Sequence, residues 1–313
     1  MQQYLDLARE AIAEGTYKPN RTGVDTLATF GAHYEVDLSA GYPLLTTKKL
    51  DGFRWNSLIH ELLWYLSGEE HIRNLREETS IWDDWADEEG LPGESWPDDA
   101  GRWLNDDECT FDQIQYVLDQ LRENPRSRRI VVNAWHPANA AVSELPPCHY
   151  TFVFNVQGDR LNTHLTQRSG DIALGVPFNV AAYALLTHIV AGRTGFEVGS
   201  FSHTIVDAHT YCGEGLRGEW YRDNRTALRE RTASVADRAG YADVKAWVED
   251  EAPAEPGVEN ADHVPDLLEQ LTREPRERPT IEVADKPIDD LEFEDIELRD
   301  YDSAPGLDFA VAE

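Results

Sequence analysis

Two strand-like runs, "YTFVFNVQ" (Tyr150 to Gln157) and "RLNTHLTQ" (Arg160 to Gln167), stand on either side of a Gly158-Asp159 pair. Strand formers on both sides of a two-residue turn specify an antiparallel hairpin, and no other stretch of the chain restricts the fold as tightly. The turn also sets the register. Gln157 faces Arg160, so partners sum to about 317. Carried back through "LPPC", this register puts Cys148 across from Ser169 and beside Arg168, within a residue or two. A thiol next to a guanidinium ionises more readily, and the thiolate is the nucleophilic form. The residues alone leave two readings of Cys148 open: a reactive nucleophile or an inert buried thiol. His149 points to the opposite face from its neighbour, so the Cys-His pair is not read as a hydrolase dyad.

A chain of 313 residues, 41% of them hydrophobic, with nine Trp, twelve Tyr and ten Phe, can bury a globular core. Its charge excludes some partners. With 28 basic against 59 acidic residues, a net charge of -31 and five lysines, it lacks the basic surface that DNA or an anionic membrane requires. So many carboxylates suit a salt-rich cytoplasm, where counterions screen self-repulsion; the reading is halophilic, with an ordinary acidic surface as the alternative. Three cysteines without a CxxC pair predict reduced thiols, with no disulfide and no structural metal. The start "MQQYLDLAREAIAEG" has helical spacing and no signal-peptide core. No apolar run reaches the ~18 residues of a membrane span, and the expected location is cytoplasmic.

No internal repeat or Pro/Gly-rich linker divides the chain, which reads as a single domain over 1–313. Glu88 to Glu108, rich in turn formers and acids, predicts a loop. Residues 213–262 predict an acidic surface insert, helical and then solvated, with an interaction module as the alternative. Three further signals concern chemistry. Glu61 sits inside the apolar helical run "IHELLWYLSG", where burial would raise its pKa for proton transfer; an exposed helix edge is the competing reading. In "SHTIVDAHTY" alternation aligns His203, Ile205, Asp207, His209 and Tyr211 on one face, a sugar-binding end or a structural cluster. Arg128 and Arg129 precede a strand as an anion clamp or a surface pair.

Together these pieces resemble the thymidylate synthase family. The likeness runs in order through "NRTGVDTLATFG", "YPLLTTKK", "IHELLWYLSG", "IWDDWADEEG", "SRRIVVNAW", "PPCHY", "QRSGDIALGVPFN", "VDAHTY" and "PGLDFAVAE", nearly the whole chain outside the insert. The resemblance implies an α+β fold with α/β-type layers, a large mixed β-sheet flanked by helices, and a sheet-to-sheet homodimer. It implies conversion of dUMP and 5,10-methylenetetrahydrofolate, the cosubstrate, to dTMP and dihydrofolate.

By the same resemblance Cys148 attacks C6 of the uracil and Glu61 organises proton transfer through water. Arg21, Arg168 and Ser169 bind the dUMP phosphate, joined by Arg128 and Arg129 from the other subunit. Gln167 and Asp171, in the same motif, belong to the substrate site, Asp171 also meeting the pterin, while Asn179 reads the pyrimidine edge. His209 and Tyr211 take the ribose hydroxyl, Trp82 packs on the folate, and the tail with Ala312 closes over it.

One motif departs from the family. Where a Gly-Pro-Val-Tyr-Gly-x-Gln-Trp-Arg segment is usual, this chain has "LPGESWPDDAGRWL", with Trp96 at the Tyr position. An indole donates only and cannot take a proton as a phenolate does. Two rival functions share these motifs: a deoxynucleotide hydroxymethylase, in which water replaces hydride, and a noncatalytic nucleotide- or folate-binding regulator. Asn179, rather than the Asp of cytidylate enzymes, and the shielding Trp82 favour the synthase over the first. The joint presence of Cys148, Glu61, Arg168 and Asn179 favours it over the second.

Overall fold

The computed structural model describes residues 1–69, 71–83, 111–140, 145–254 and 261–311. Its main sheet takes β1 (Thr16–Lys18), β2 (Thr26–Asp37), β3 (Val131–Asn133), β4 (His149–Gln157), β5 (Arg160–Asp171) and β6 (Glu197–Tyr211) in the order β1-β2-β6-β5-β4-β3. Only β5 and β6 run parallel; every other neighbour is antiparallel, so the sheet is mixed as expected. Its helices are α1 (Gln2–Glu14), α2 (Phe53–Ser67), α3 (Leu75–Glu78), α4 (Gln113–Glu123), α5 (Pro137–Ala140), α6 (Gly175–Thr194), α7 (Gly215–Asp223), α8 (Arg225–Ala233), α9 (Tyr241–Glu251) and α10 (Val264–Leu271). A second, two-stranded sheet pairs β7 (Thr280–Val283) with β8 (Ile296–Arg299).

The predicted hairpin forms at the predicted turn. Gly158 takes a φ of 68°, which a residue with a Cβ adopts only at a cost. Along β5, buried Leu161, Thr163, Leu165 and Gln167 alternate with part-exposed Asn162, His164 and Thr166, so one face of the sheet meets the core. That face is covered by α6, which packs on β5 and β6 and is itself flanked by α2 and α4.

Helix α6 corrects one expectation. Over 20 residues it is long and apolar enough to cross a membrane by length and composition, although 72% of its most apolar window is buried inside the fold. A helix sandwiched between a sheet and other helices is largely apolar for the same reason that a membrane span is: most of its surface meets no water.

Residues 213–262 contain α7, α8 and α9, whose apolar sides join the main core through Tyr221, Leu228, Val244 and Val248. Arg225 from α8 donates to the carbonyls of Ile12 (2.9 Å) and Ala13 (3.1 Å), satisfying the open end of α1. Buried Asp262 accepts from Arg217 Nε and Tyr221 Oη, each at 2.7 Å, and ties the end of the segment to its beginning. The next residue, His263, donates its backbone N–H to Tyr211 O at the end of β6.

Candidate active site

Helix α2 buries Leu58, Ile59, Leu62 and Leu66, and its stripe carries Glu61 and Tyr65 one turn apart. Tyr65 Oη donates to Glu61 Oε1 at 3.2 Å, and Trp82 Nε1 donates to the same oxygen at 2.8 Å. Burial pushes the Glu61 carboxyl up to about 7, and the two neutral donors pull against it. Trp82 is itself buried, its ring 5.7 Å from that of Trp64 and 6.4 Å from that of Tyr65. An indole expected only to shield a ligand is therefore also a hydrogen-bond donor that orients the acid.

Cys148 precedes β4. The hairpin register keeps its sum of 317 as far as Thr151 opposite Thr166, then shifts by one residue before His149, which pairs with Gln167. In consequence the Cys148 carbonyl accepts from Arg168 N–H at 2.9 Å, and Arg168 rather than Ser169 is the direct partner. The expected easier ionisation is corrected. Burial pushes the Cys148 thiol above its ordinary value, and the Arg168 and Arg21 guanidiniums only oppose that push. The Arg168 guanidinium is engaged by the carbonyls of Pro146 and Pro147, which limits what it gives the sulfur. His149 bonds Tyr183 Oη through Nδ1 at 2.7 Å, and burial with the nearby Arg168 charge lowers it to about 4. A neutral imidazole tied to a phenol is no base for Cys148.

Parallel pairing of β5 with β6 sets Ser169 beside Asp207 and Asp171 beside His209. His209 Nδ1 lies 3.5 Å from Ser169 Oγ and 3.5 Å from Asp207 Oδ1, and Lys18 pairs with the other Asp207 oxygen. His209, then Lys18, hold the Asp207 carboxyl down at about 2 despite partial burial. Tyr211 stands edge-on to His209 and His263, and burial pushes its phenol up to about 12. Asp171 accepts from Ala173 N–H at 2.8 Å, with His263 Nδ1 3.7 Å away. Burial pushes this carboxyl up, yet His263 and His209 outweigh it and the net direction is down. Buried Gln167 donates to Asn179 Oδ1 at 3.1 Å, while its own Oε1 has no hydrogen-bond partner among the described residues.

Arg21 bears electrostatically on both Cys148 and Tyr211, which locates it at this end of the site. Arg128 and Arg129 are exposed ahead of edge strand β3, and no bond joins them to the cluster among the described residues. Trp96 and Ala312 lie outside the described residues. Just before Ala312, Ala310 O bonds His263 Nε2 at 2.8 Å, and Lys48 Nζ sits 4.7 Å from the Phe309 ring centre. Lys48, lowered to about 7 by burial, and Tyr65 lie within the family-like motifs but are not among the site residues read from them, and His263 lies outside those motifs. For Tyr65 a signal existed: it is four residues after Glu61 on one helix face.

Cys148 and Glu61 both bear electrostatically on Tyr65, and Arg168 and Arg21 bear on the thiol, a set of groups suited to covalent catalysis on an anionic substrate. The comparisons narrow that class: a thymidylate synthase family model matches residues 2–313. The thymidylate synthase of Haloferax volcanii is 65% identical over 329 residues, covering 99% of this chain and 96% of that protein. The chain belongs to the thymidylate synthase family.

Proposed function

We infer that the protein is a thymidylate synthase, a methyltransferase that converts dUMP to dTMP with 5,10-methylenetetrahydrofolate as donor of the one-carbon unit and the hydride. The observation that carries the reading is the family match across the whole chain, joined to Cys148 and Glu61 both bearing on Tyr65. In the proposed assignment the Cys148 sulfur bonds to uracil C6 and makes C5 nucleophilic. Glu61, near neutrality at about 7, exchanges protons with the base through water. Asn179, held by Gln167, presents an amide that matches uracil O4 and N3–H. His209 and Tyr211 take the ribose hydroxyl, and Arg21, Arg168 and Ser169 the phosphate.

The folate would lie between Asp171, Trp82 and the C-terminal tail that includes Ala312. Ala310 and Phe309 rest on His263 and Lys48, and closure of this end over a ligand would exclude water. The protein works in the cytoplasm of a halophile, as one catalytic domain whose 213–262 segment is an acidic insert. The experiment is a product assay in high salt that follows dTMP and dihydrofolate together. Hydroxymethyl-dUMP as the main product would replace this reading with that of a hydroxymethylase.

The assembly is a sheet-to-sheet homodimer in which Arg128 and Arg129 reach the partner's phosphate site. Their exposure and their separation from the chain's own cluster support this, as do exposed Val131 and Val206 on the sheet. Inactive Arg129→Ala subunits mixed with inactive Cys148→Ser subunits regain activity, because one hybrid site carries neither defect. Absence of recovery after demonstrated subunit exchange counts against sharing.

A further inference from the structure

Between Tyr65 and Tyr116 the sequence holds no tyrosine, so the stretch "LPGESWPDDAGRWL" brings no phenol to the site. A phenol reaches Glu61 from within α2 instead. Tyr65 Oη donates to Glu61 Oε1 at 3.2 Å, and its ring lies 5.5 Å from that of His149, the residue after Cys148. The other phenol at His149, Tyr183, is engaged by the His149 ring nitrogen at 2.7 Å. Trp82 completes the grip, donating to the same Oε1 at 2.8 Å. Glu61 Oε2 takes no hydrogen bond from the described residues.

We propose that Tyr65 is a positioning residue for the proton transfer, its hydroxyl and the Trp82 indole fixing Glu61 Oε1 so that Oε2 alone exchanges the proton. The inference rests on the thymidylate synthase reading of the site. Two donors on one oxygen fix the carboxylate plane and favour the ionised form. Of the two donors only Tyr65 also accepts, so its oxygen can receive a bond from water while it donates to Glu61. Loss of the C5 proton of dUMP is the step this arrangement serves.

Tyr65→Phe keeps the ring and removes the oxygen. Expected is a fall in kcat of about 10- to 100-fold, with KM for dUMP within about 3-fold of the parent. The acid limb of kcat/KM moves to higher pH, since a donor to the carboxylate is gone. Release of tritium from 5-tritiated dUMP in a single turnover slows equally. Covalent capture of 5-fluoro-dUMP with the folate persists, reporting that the fold and Cys148 are intact. Should Tyr65→Phe fail to fold, 3-fluorotyrosine at position 65 keeps the shape, donates more strongly and moves the limb to lower pH. An active parent whose Tyr65 variants leave kcat and the limb unmoved overturns the inference. A parent that makes no dTMP overturns the functional reading instead.

Discussion

Glu61 and Asp171 are two part-buried carboxyls of one site, and their surroundings drive them in opposite directions. Around Glu61 the partners are neutral, a phenol and an indole, so burial prevails and the acid rises to about 7. Around Asp171 an imidazole partner at 3.7 Å reverses the balance, and the carboxyl falls below its ordinary value. His263 is correspondingly raised despite its own burial. Burial alone therefore does not decide a carboxyl's protonation; the charge of its partners does. The contrast divides the site into a dry end around Glu61, where the carboxyl's partners are neutral, and a charged end around Asp171 and Asp207, where they are imidazoles and a lysine.

The sharpest way to test the dry end is to remove its nucleophile. Cys148→Ser loses turnover by about 10⁴-fold or more, because a hydroxyl has a far higher pKa and Arg168 cannot compensate. Binding of dUMP survives, measured by calorimetry, because the charged end is untouched. A 5-fluoro-dUMP adduct found on Cys212 instead would break the assignment.

Next in size, Glu61→Gln lowers kcat by about 10²- to 10⁴-fold and abolishes the acid limb near neutrality. The same change tests the burial argument through stability. With the folded carboxyl raised from 4.5 to about 7, its contribution is complete below the unfolded value and is lost as pH rises through the folded one. That loss is on the order of 3 kcal/mol, and Glu61→Gln abolishes it. Urea unfolding of parent and variant at about pH 5 and about pH 8 reads the difference; equal pH slopes would mean that Glu61 is not desolvated.

Asn179→Asp acts at the join between the two ends. Its Oδ1 is held by Gln167, so the substitution changes the donor pattern more than the position. The kcat/KM for dUMP falls and the relative use of dCMP rises, a shift of tens- to about a thousandfold in the ratio. Steady-state kinetics on both nucleotides in one salt measure it. An unaltered ratio would remove Asn179 from base recognition.

The smallest effect belongs to Asp207→Asn at the charged end. The Asp207 carboxyl, depressed from 3.8 to about 2, contributes stability above its unfolded value that is lost as pH falls through the folded one. Partial exposure screens the pair with Lys18, so the loss near neutrality is under about 1 kcal/mol and shrinks further in high salt. Melting in low and high salt checks this ordering of the two ends.

The sequence carried the hairpin because alternation and a Gly-Asp turn are local signals. It carried Glu61 because an acid inside an apolar helical run contradicts its neighbours. It did not carry the one-residue shift before His149, which replaces Ser169 by Arg168 opposite Cys148. A bulge arises from how two strands fit together, and neither strand's pattern encodes it. Nor did it carry the direction of the Cys148 shift. A guanidinium nearby in sequence register suggested an acidic thiol, whereas burial by the whole fold and the engagement of Arg168 by two proline carbonyls decided otherwise.

The sequence by itself determined the ordered set of motifs, the strand register about Gly158, and the acidic surface suited to salt. Each depends on residue identity or on spacing over a few positions. Only the tertiary structure decided that Tyr65 and Trp82 share one oxygen of Glu61, and that His263, some ninety residues beyond Asp171, turns that carboxyl down. A pKa or a hydrogen bond depends on distance and on exclusion of water, and chain segments far apart in sequence set both only once they have packed.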